Sequence, residues 1–392
     1  MNSQRRSASA LPALLALTVL VASCSGESRD TTTAPQADGR RLEEADPARQ
    51  VTAEPGAAIE AARGSLTAGA SLVYVTNEDS NSVSVIAGHS VIATIAVGKR
   101  PRGIRVSPDG TRAYVALSGS PKCPPTMDDE ECEQRIADKT ADGIAEVDVL
   151  AGEVVRILPG GSDPEQFDVD WESGTLYVAN EDIHMATFLD IDDGEILLSV
   201  PTGLEPEGVR LSPDASVVYV AGEVDSDVTV LDAETGEEIT RIPVGLRPRD
   251  IVFTTDGGTA YVSAELGSSI SVIDTTTRTM THEIPLPEGS LPMGLVLSDD
   301  EDTLFVSNGR GSTVVAIDLE TSDVVKSVEV GARPWGLGRS LDGRFLYSAN
   351  GPSDDVTVID ADTFEIVTRI PVGETPWGIA VGVLPEVPSP TD

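Results

Sequence analysis

From residue 69 to residue 383 the chain is a succession of short apolar runs punctuated by Gly, Pro, Asp and Asn. Runs such as "VTVLD" at 228–232 and "VTVID" at 356–360 alternate apolar and polar positions, which predicts strands. The runs recur on a fixed grid. Pro101, Pro164, Pro206, Pro248, Pro292, Pro334 and Pro376 each open a similar segment, at intervals of 63, 42, 42, 44, 42 and 42 residues. Glycine follows two residues later at 103, 208, 294, 336 and 378. An aromatic residue lies 13 residues after six of these prolines: Tyr114, Tyr177, Tyr219, Tyr261, Phe305 and Tyr347. Tyr74, in "YVTN", begins the same kind of strand with no Pro-x-Gly segment before it.

A period near 42 residues signals a solenoid or a propeller blade. Each unit reads as four strands: one after Pro-x-Gly, the aromatic strand, an alternating strand, and a last strand such as "EITRIPVG". Pro159, Pro201, Pro243, Pro285 and Pro371 fall in that last strand. Proline cannot donate to a ladder, so the last strand belongs at the exposed edge and the first at the axis. The C-terminal "WGIAVGV" supplies the inner strand that the Tyr74 unit lacks. The expectation is an all-β, seven-bladed propeller of four-stranded blades, closed by pairing of N- and C-terminal strands in one blade.

On "YVTN", "GKRPRGIRVSPDG", "GSDPEQF", "RPWGL" and "SANGPSDDVTVID" the chain resembles the YVTN family of β-propellers, over about residues 69–383. It is most similar to the propeller proteins associated with PQQ-dependent catabolism. The resemblance implies export and the company of quinoprotein dehydrogenases and c-type cytochromes. It implies no particular activity, because propellers host binding, scaffolding and catalysis alike.

Charge narrows the partners. Asp and Glu number 65 against 27 Lys and Arg, a net charge of −38, which disfavours nucleic acid. At the N-terminus, Arg5 and Arg6 precede a short apolar run at 11–22, and "VASC" ends at Cys24. Residues 1–23 are therefore expected to be a lipoprotein signal peptide, with Cys24 acylated. Ordinary signal cleavage among small residues is the alternative. Residues 24–68 read as the acylated cysteine and a flexible tether, and 384–392 as a disordered tail. The expected location is the cell envelope, periplasmic or as an outer-membrane lipoprotein, and the expected state is monomeric.

The long first interval places an insertion at about 118–143. It carries Cys123 and Cys132, which in an exported protein are expected to form a disulfide. A metal site with Asp128, Asp129, Glu130 and Glu131 is the alternative, but no histidine is near and no metal is expected. His89, His184 and His282 fall in different repeats, so no catalytic constellation is expected from them.

In a propeller, the loop from an outermost strand to the next innermost one surrounds a mouth of the central channel. Residues flanking each landmark proline should ring that mouth: Arg100 and Arg102, Asp163 and Glu165, Glu205 and Glu207, Arg247 and Arg249, Leu291 and Met293, Arg333 and Trp335, Thr375 and Trp377. Arg333, Trp335, Trp377, Arg100 and Arg102 are expected to form an aromatic and basic arc suited to a planar anion such as PQQ. Glu165, Glu205 and Glu207 are expected to form a separate acidic arc that docks a c-type cytochrome or quinoprotein dehydrogenase. The alternative is that the tryptophans pack on neighbouring loops and the charges pair across blades. The functional expectation is a binding module accessory to a redox system rather than an enzyme. A lactonase-like hydrolase or a passive surface protein is the alternative.

Overall fold

The computed structural model describes residues 54–64, 71–122 and 136–385. Their strands form seven antiparallel sheets of four, each running from an inner to an outer edge. The closing blade takes its inner strand, Pro376–Val383, from the C-terminus. Its other strands, Ser71–Asn77, Ser82–Ala87 and Ser90–Ala96, come from the N-terminus. Tyr74 stands opposite Ala380 and Ser71 opposite Val383. We call this blade 1. Blades 2 to 7 follow in chain order, with inner strands that begin at Pro101, Pro164, Pro206, Pro248, Pro292 and Pro334.

Each blade lies between two neighbours, so its middle strands are covered on both faces. In blade 4 the residues Tyr219, Val220, Val228 and Val230 are all buried. The alternation read from sequence therefore does not separate core from water. Thr229, a polar position of "VTVLD", is fully buried, and its hydroxyl accepts the Gly203 N–H at 3.2 Å. The outer strands are the exposed ones, and Pro201, Pro243, Pro285 and Pro371 terminate four of them, where the missing N–H costs no ladder bond. At the axis the blades almost touch. A Cβ at Gly378 would stand 2.4 Å from the Arg102 carbonyl oxygen, which only glycine tolerates.

The tether differs from expectation. Pro55–Arg63 is a helix, and Ile59 is fully buried in the core cluster that contains Leu72, Tyr74 and Ile95. Proline in the first turn suits a helix start, and the burial of one isoleucine docks a segment whose composition looks like linker. At the other end Leu384 packs on that cluster, so the propeller extends past Val383. The signal segment, Cys24, Cys123 and Cys132 lie outside the described residues.

Candidate functional site at the channel mouth

The mouth is built by one device used seven times. The residue before each landmark proline adopts a left-handed backbone: Arg100, Asp163, Glu205, Arg247, Leu291, Arg333 and Thr375, with φ between 43° and 60°. That conformation costs roughly 1–2 kcal/mol for a residue other than glycine. Hydrogen bonds hold it. In six blades its carbonyl accepts the N–H of the residue that follows the aromatic strand: Glu78 to Thr375, Glu181 to Asp163, Glu223 to Glu205, Glu265 to Arg247, Gly309 to Leu291 and Gly351 to Arg333. In blade 2, where the insertion begins, Ser118 donates instead to Lys99. The asparagine of "YVTN" braces the same loop. Asn77 Nδ2 donates to the Ser82 and Ser84 hydroxyls, and its Oδ1 accepts the Gly373 N–H at 3.1 Å. Each blade thus presents a side chain before the proline and one after it, and every blade but 6 and 7, which have glycine there, adds one from the loop after the aromatic strand.

Blades 2 to 5 form a charged half. Arg102 is buried and lies among carboxylates of both neighbouring blades: Glu78 at 3.5 Å, Asp163 and Glu181 at 3.6 Å, and Glu165 in direct contact. Asp163, Glu165 and Glu181 bring carboxylate oxygens within 4.8 Å of one another, as a cation cradle does, and the cation there is Arg102. Arg100 bonds Glu78 at 2.9 Å. Arg249 is the counterpart on the far side. It pairs with Glu265 at 2.7 Å and contacts Glu207 and Glu223. Burial raises the Glu78 carboxyl, but Arg102, Arg100 and Lys122 outweigh it and bring it to about 2. Glu207 goes the other way. Burial, with Glu223 beside it, pushes it up to about 8 despite Arg249.

Blades 6, 7 and 1 form an aromatic half. Trp335 and Trp377 stack with ring centroids 5.7 Å apart and planes 25° apart. Arg333 lies over the Trp335 ring at 4.7 Å. Below the two halves is a cavity of about 60 Å³, lined in part by Glu207, Arg249, Met293, Trp335 and Trp377. Sites that enclose a ligand measure about 300–1,000 Å³. The cavity has room for a few waters and not for a larger molecule.

The fourteen proline-flanking residues all stand where an outer strand hands over to the next inner strand. For the charges it is the alternative expectation, pairing across blades, that the structure shows at Arg102 and Arg249. Arg100 and Arg102 turn away from the tryptophans to Glu78, Asp163 and Glu165, because a buried guanidinium needs a carboxylate. The basic and acidic residues therefore interlock and do not form separate arcs. Glu165 and Glu207 are buried in ion pairs and are not displayed for docking, while Glu205 is half-exposed. The loop residues Glu78, Glu181, Glu223 and Glu265 were missed. Their signal is a glutamate four residues after the landmark tyrosine in "YVTNE", "YVANE", "YVAGE" and "YVSAE". The stems of the insertion lean over the same charged half: Lys122 bonds Glu78 at 3.0 Å and Asp79 at 2.9 Å, and Lys139 bonds Asp182. Of the histidines, His184 accepts the Glu205 N–H at 3.1 Å, His89 packs edge-on to Phe345, and His282 lies on an outer strand.

Residues 237–366, which include Arg247, Arg249, Glu265, Met293, Arg333 and Trp335, match the family model "Lactonase, 7-bladed beta-propeller". The comparison with curated proteins gives no match. Solved structures share the fold at low identity. A functionally unknown protein from Desulfotomaculum acetoxidans is 18% identical, with a TM-score of 0.65 over 79% of this chain and 98% of its own. A Bacteroides fragilis protein provisionally assigned as a 6-phosphogluconolactonase is 16% identical, with a TM-score of 0.64 over 80% and 98%. Hydrazine synthase of Kuenenia stuttgartiensis is 19% identical, with a TM-score of 0.61 over 74% and 96%. At these identities the likeness is one of fold, and part of the chain matches a seven-bladed lactonase-type propeller.

Proposed function

We propose that the channel mouth is the active site of a lactonase-like hydrolase for small lactones. The observation that carries this reading is Glu207 in contact with Arg249 at the wall of the cavity, with Glu223 on the same guanidinium. Lactone opening needs a base for water and a cation for the carbonyl oxygen. Ionised Glu207 takes a proton as water oxygen bonds to the lactone carbonyl carbon. Arg249 faces the oxyanion. The intermediate collapses, the ring C–O bond breaks, and the proton passes from Glu207 to the departing alkoxide, leaving a hydroxy acid. The match of residues 237–366 to the lactonase propeller family supports the reading, as do the provisionally assigned lactonases of this fold.

The test is a pH-stat assay over a panel of aldono- and aryl-fused lactones, corrected for spontaneous hydrolysis. Because the Glu207 pKa is raised, the base form gains as pH rises, and kcat/KM should climb through about 8. Glu207→Gln should lower kcat by about 10²–10⁴-fold and flatten the profile. Equal rates for wild type and variant, or no turnover above the spontaneous rate, would overturn the reading.

A second reading, favoured by the carboxylates that already occupy Arg102 and Arg249, keeps the mouth as a binding module without turnover. In it the mouth takes a carboxylated quinone such as PQQ, and the half-exposed Glu205 contributes to docking of a basic cytochrome. Either reading suits an exported, lipid-anchored protein. Cys24→Ser should then move the protein from the membrane to the soluble fraction; unchanged fractionation would refute the anchor.

A further inference from the structure

Within the aromatic half, blades 6 and 7 lack the loop carboxylate that blades 1, 3, 4 and 5 carry. Gly309 and Gly351 stand where blades 3, 4 and 5 have Glu181, Glu223 and Glu265. At Gly309 the bulky residue after the proline crowds the position, since a Cβ there would lie 3.0 Å from Met293 Cγ; a Cβ at Gly351 would meet Trp335 Cδ1 at an ordinary 3.5 Å. Removing those acids leaves cations unanswered. Arg100, Arg102, Arg247 and Arg249 each pair with glutamates. Arg333 stacks on Trp335 and, among the described residues, has no ion pair and no side-chain hydrogen bond. Arg310, exposed on the blade 6 loop next to Gly309, has none either among the described residues. Burial lowers the Arg333 pKa; the charge of Glu265 opposes it, and the nearby Arg310 and Arg249 add to the lowering. Two arginines without an ion pair among the described residues, in a chain of net charge −38, are a feature of placement and not of composition.

We propose that this half of the mouth is a subsite for a ligand with a flat apolar ring and a carboxylate or phosphate group. The anion bonds Arg333, with Arg310 at the rim, and the ligand ring lies against the edge of Trp335 and Met293. Guanidinium donors match planar oxyanions in pairs, and the stack with Trp377 holds Trp335 in place. The subsite needs no turnover. Where Glu207 does hydrolyse lactones, it names their class as flat-ringed and anionic, and to that extent it rests on the hydrolase reading.

Calorimetric titration of the full chain at low salt tests it. The probes are 2-naphthoate, 2-naphthyl phosphate, neutral 2-naphthamide and inorganic phosphate. We expect one or both naphthyl anions to bind with Kd below millimolar, and 2-naphthamide and inorganic phosphate at least tenfold more weakly. Arg333→Met and Trp335→Leu should each weaken the anions at least tenfold in protein whose melting curve remains cooperative, with Arg333→Lys in between. Which naphthyl anion is preferred identifies the group. Equal binding of charged and neutral rings, or wild-type affinity in Arg333→Met, would overturn the proposal. Naphthoate binding without lactone turnover keeps the subsite and sinks the hydrolase. Turnover with a KM indifferent to Arg333→Met does the reverse.

Discussion

Arg102→Ala is expected to lower the melting temperature by roughly 5–15 °C near neutral pH, and calcium is expected to restore part of the loss. The side chain is buried, and four carboxylates from blades 1 and 3 converge on it. Removing one member of a buried ion cluster leaves the others uncompensated, at a cost of about 3–5 kcal/mol. The pH dependence has a definite sign. Burial already holds the Asp163 carboxyl above its ordinary range while Arg102 pulls it down. Without Arg102 it rises further. A carboxyl whose folded pKa exceeds its unfolded value destabilises the fold increasingly as pH climbs from the unfolded pKa through the folded one. The deficit of Arg102→Ala should therefore be small near pH ~4 and large near pH ~8. Oxygens of Asp163, Glu165 and Glu181 within 4.8 Å of one another suit a calcium ion, whose ligands sit at about 2.3–2.6 Å. Thermal melts of wild type and variant, with and without millimolar calcium, at pH 5 and 8, check each part. A variant that melts with wild type at both pH values would show that Arg102 does not neutralise this cluster.

Reading the sequence went furthest where one residue fixed a register. The landmark prolines lie at a constant distance from the aromatics, so the blade count, the strand order and the seven mouth positions followed from counting. Each of these positions precedes or follows the landmark proline, at the left-handed turn that opens the inner strand. Pairing was not legible in the same way. Whether Arg102 turns toward Trp377 or toward Glu165 depends on which neighbouring blade offers a carboxylate at the right depth. Those carboxylates come partly from Glu78 and Glu181, on a loop that the proline landmark does not mark. The helix at Pro55–Arg63 was hidden for a different reason. Its composition is that of a linker, and its order comes from the docking of Ile59, a tertiary contact with no local signature. The alternating strands misled in detail only, since a blade between two neighbours buries its threonines along with its valines.

A chain ending at Thr375 is expected to lose cooperative folding altogether, whereas one ending at Pro385 should melt like the full chain. The difference is the inner strand of blade 1, Pro376–Val383. In an open array of repeats, stability is close to a sum over neighbouring interfaces, and trimming a terminal strand costs one of them. Here the strand serves three interfaces. It pairs with Ser71–Asn77 along its length. It packs on blade 7, where the Trp377 carbonyl oxygen lies 2.5 Å from the Cβ position of Gly336 and the Ile379 side chain lies 2.4 Å from that of Gly338. It packs on blade 2, where the Gly378 N–H donates to the Thr76 hydroxyl at 2.7 Å and that hydroxyl donates to the Arg102 carbonyl at 2.8 Å. Truncation would open the ring, bare the edge of Ser71–Asn77 with the buried Val73, Tyr74 and Val75, and unstack Trp335. Domains of this kind hold about 5–15 kcal/mol in total, which the loss of a strand packed on both sides exceeds. Circular dichroism and calorimetric melts of the two truncations decide the matter. A cooperative transition in the shorter chain within a few degrees of the longer one would mean that the blades stand as an open array, and that closure contributes little to the stability of the mouth.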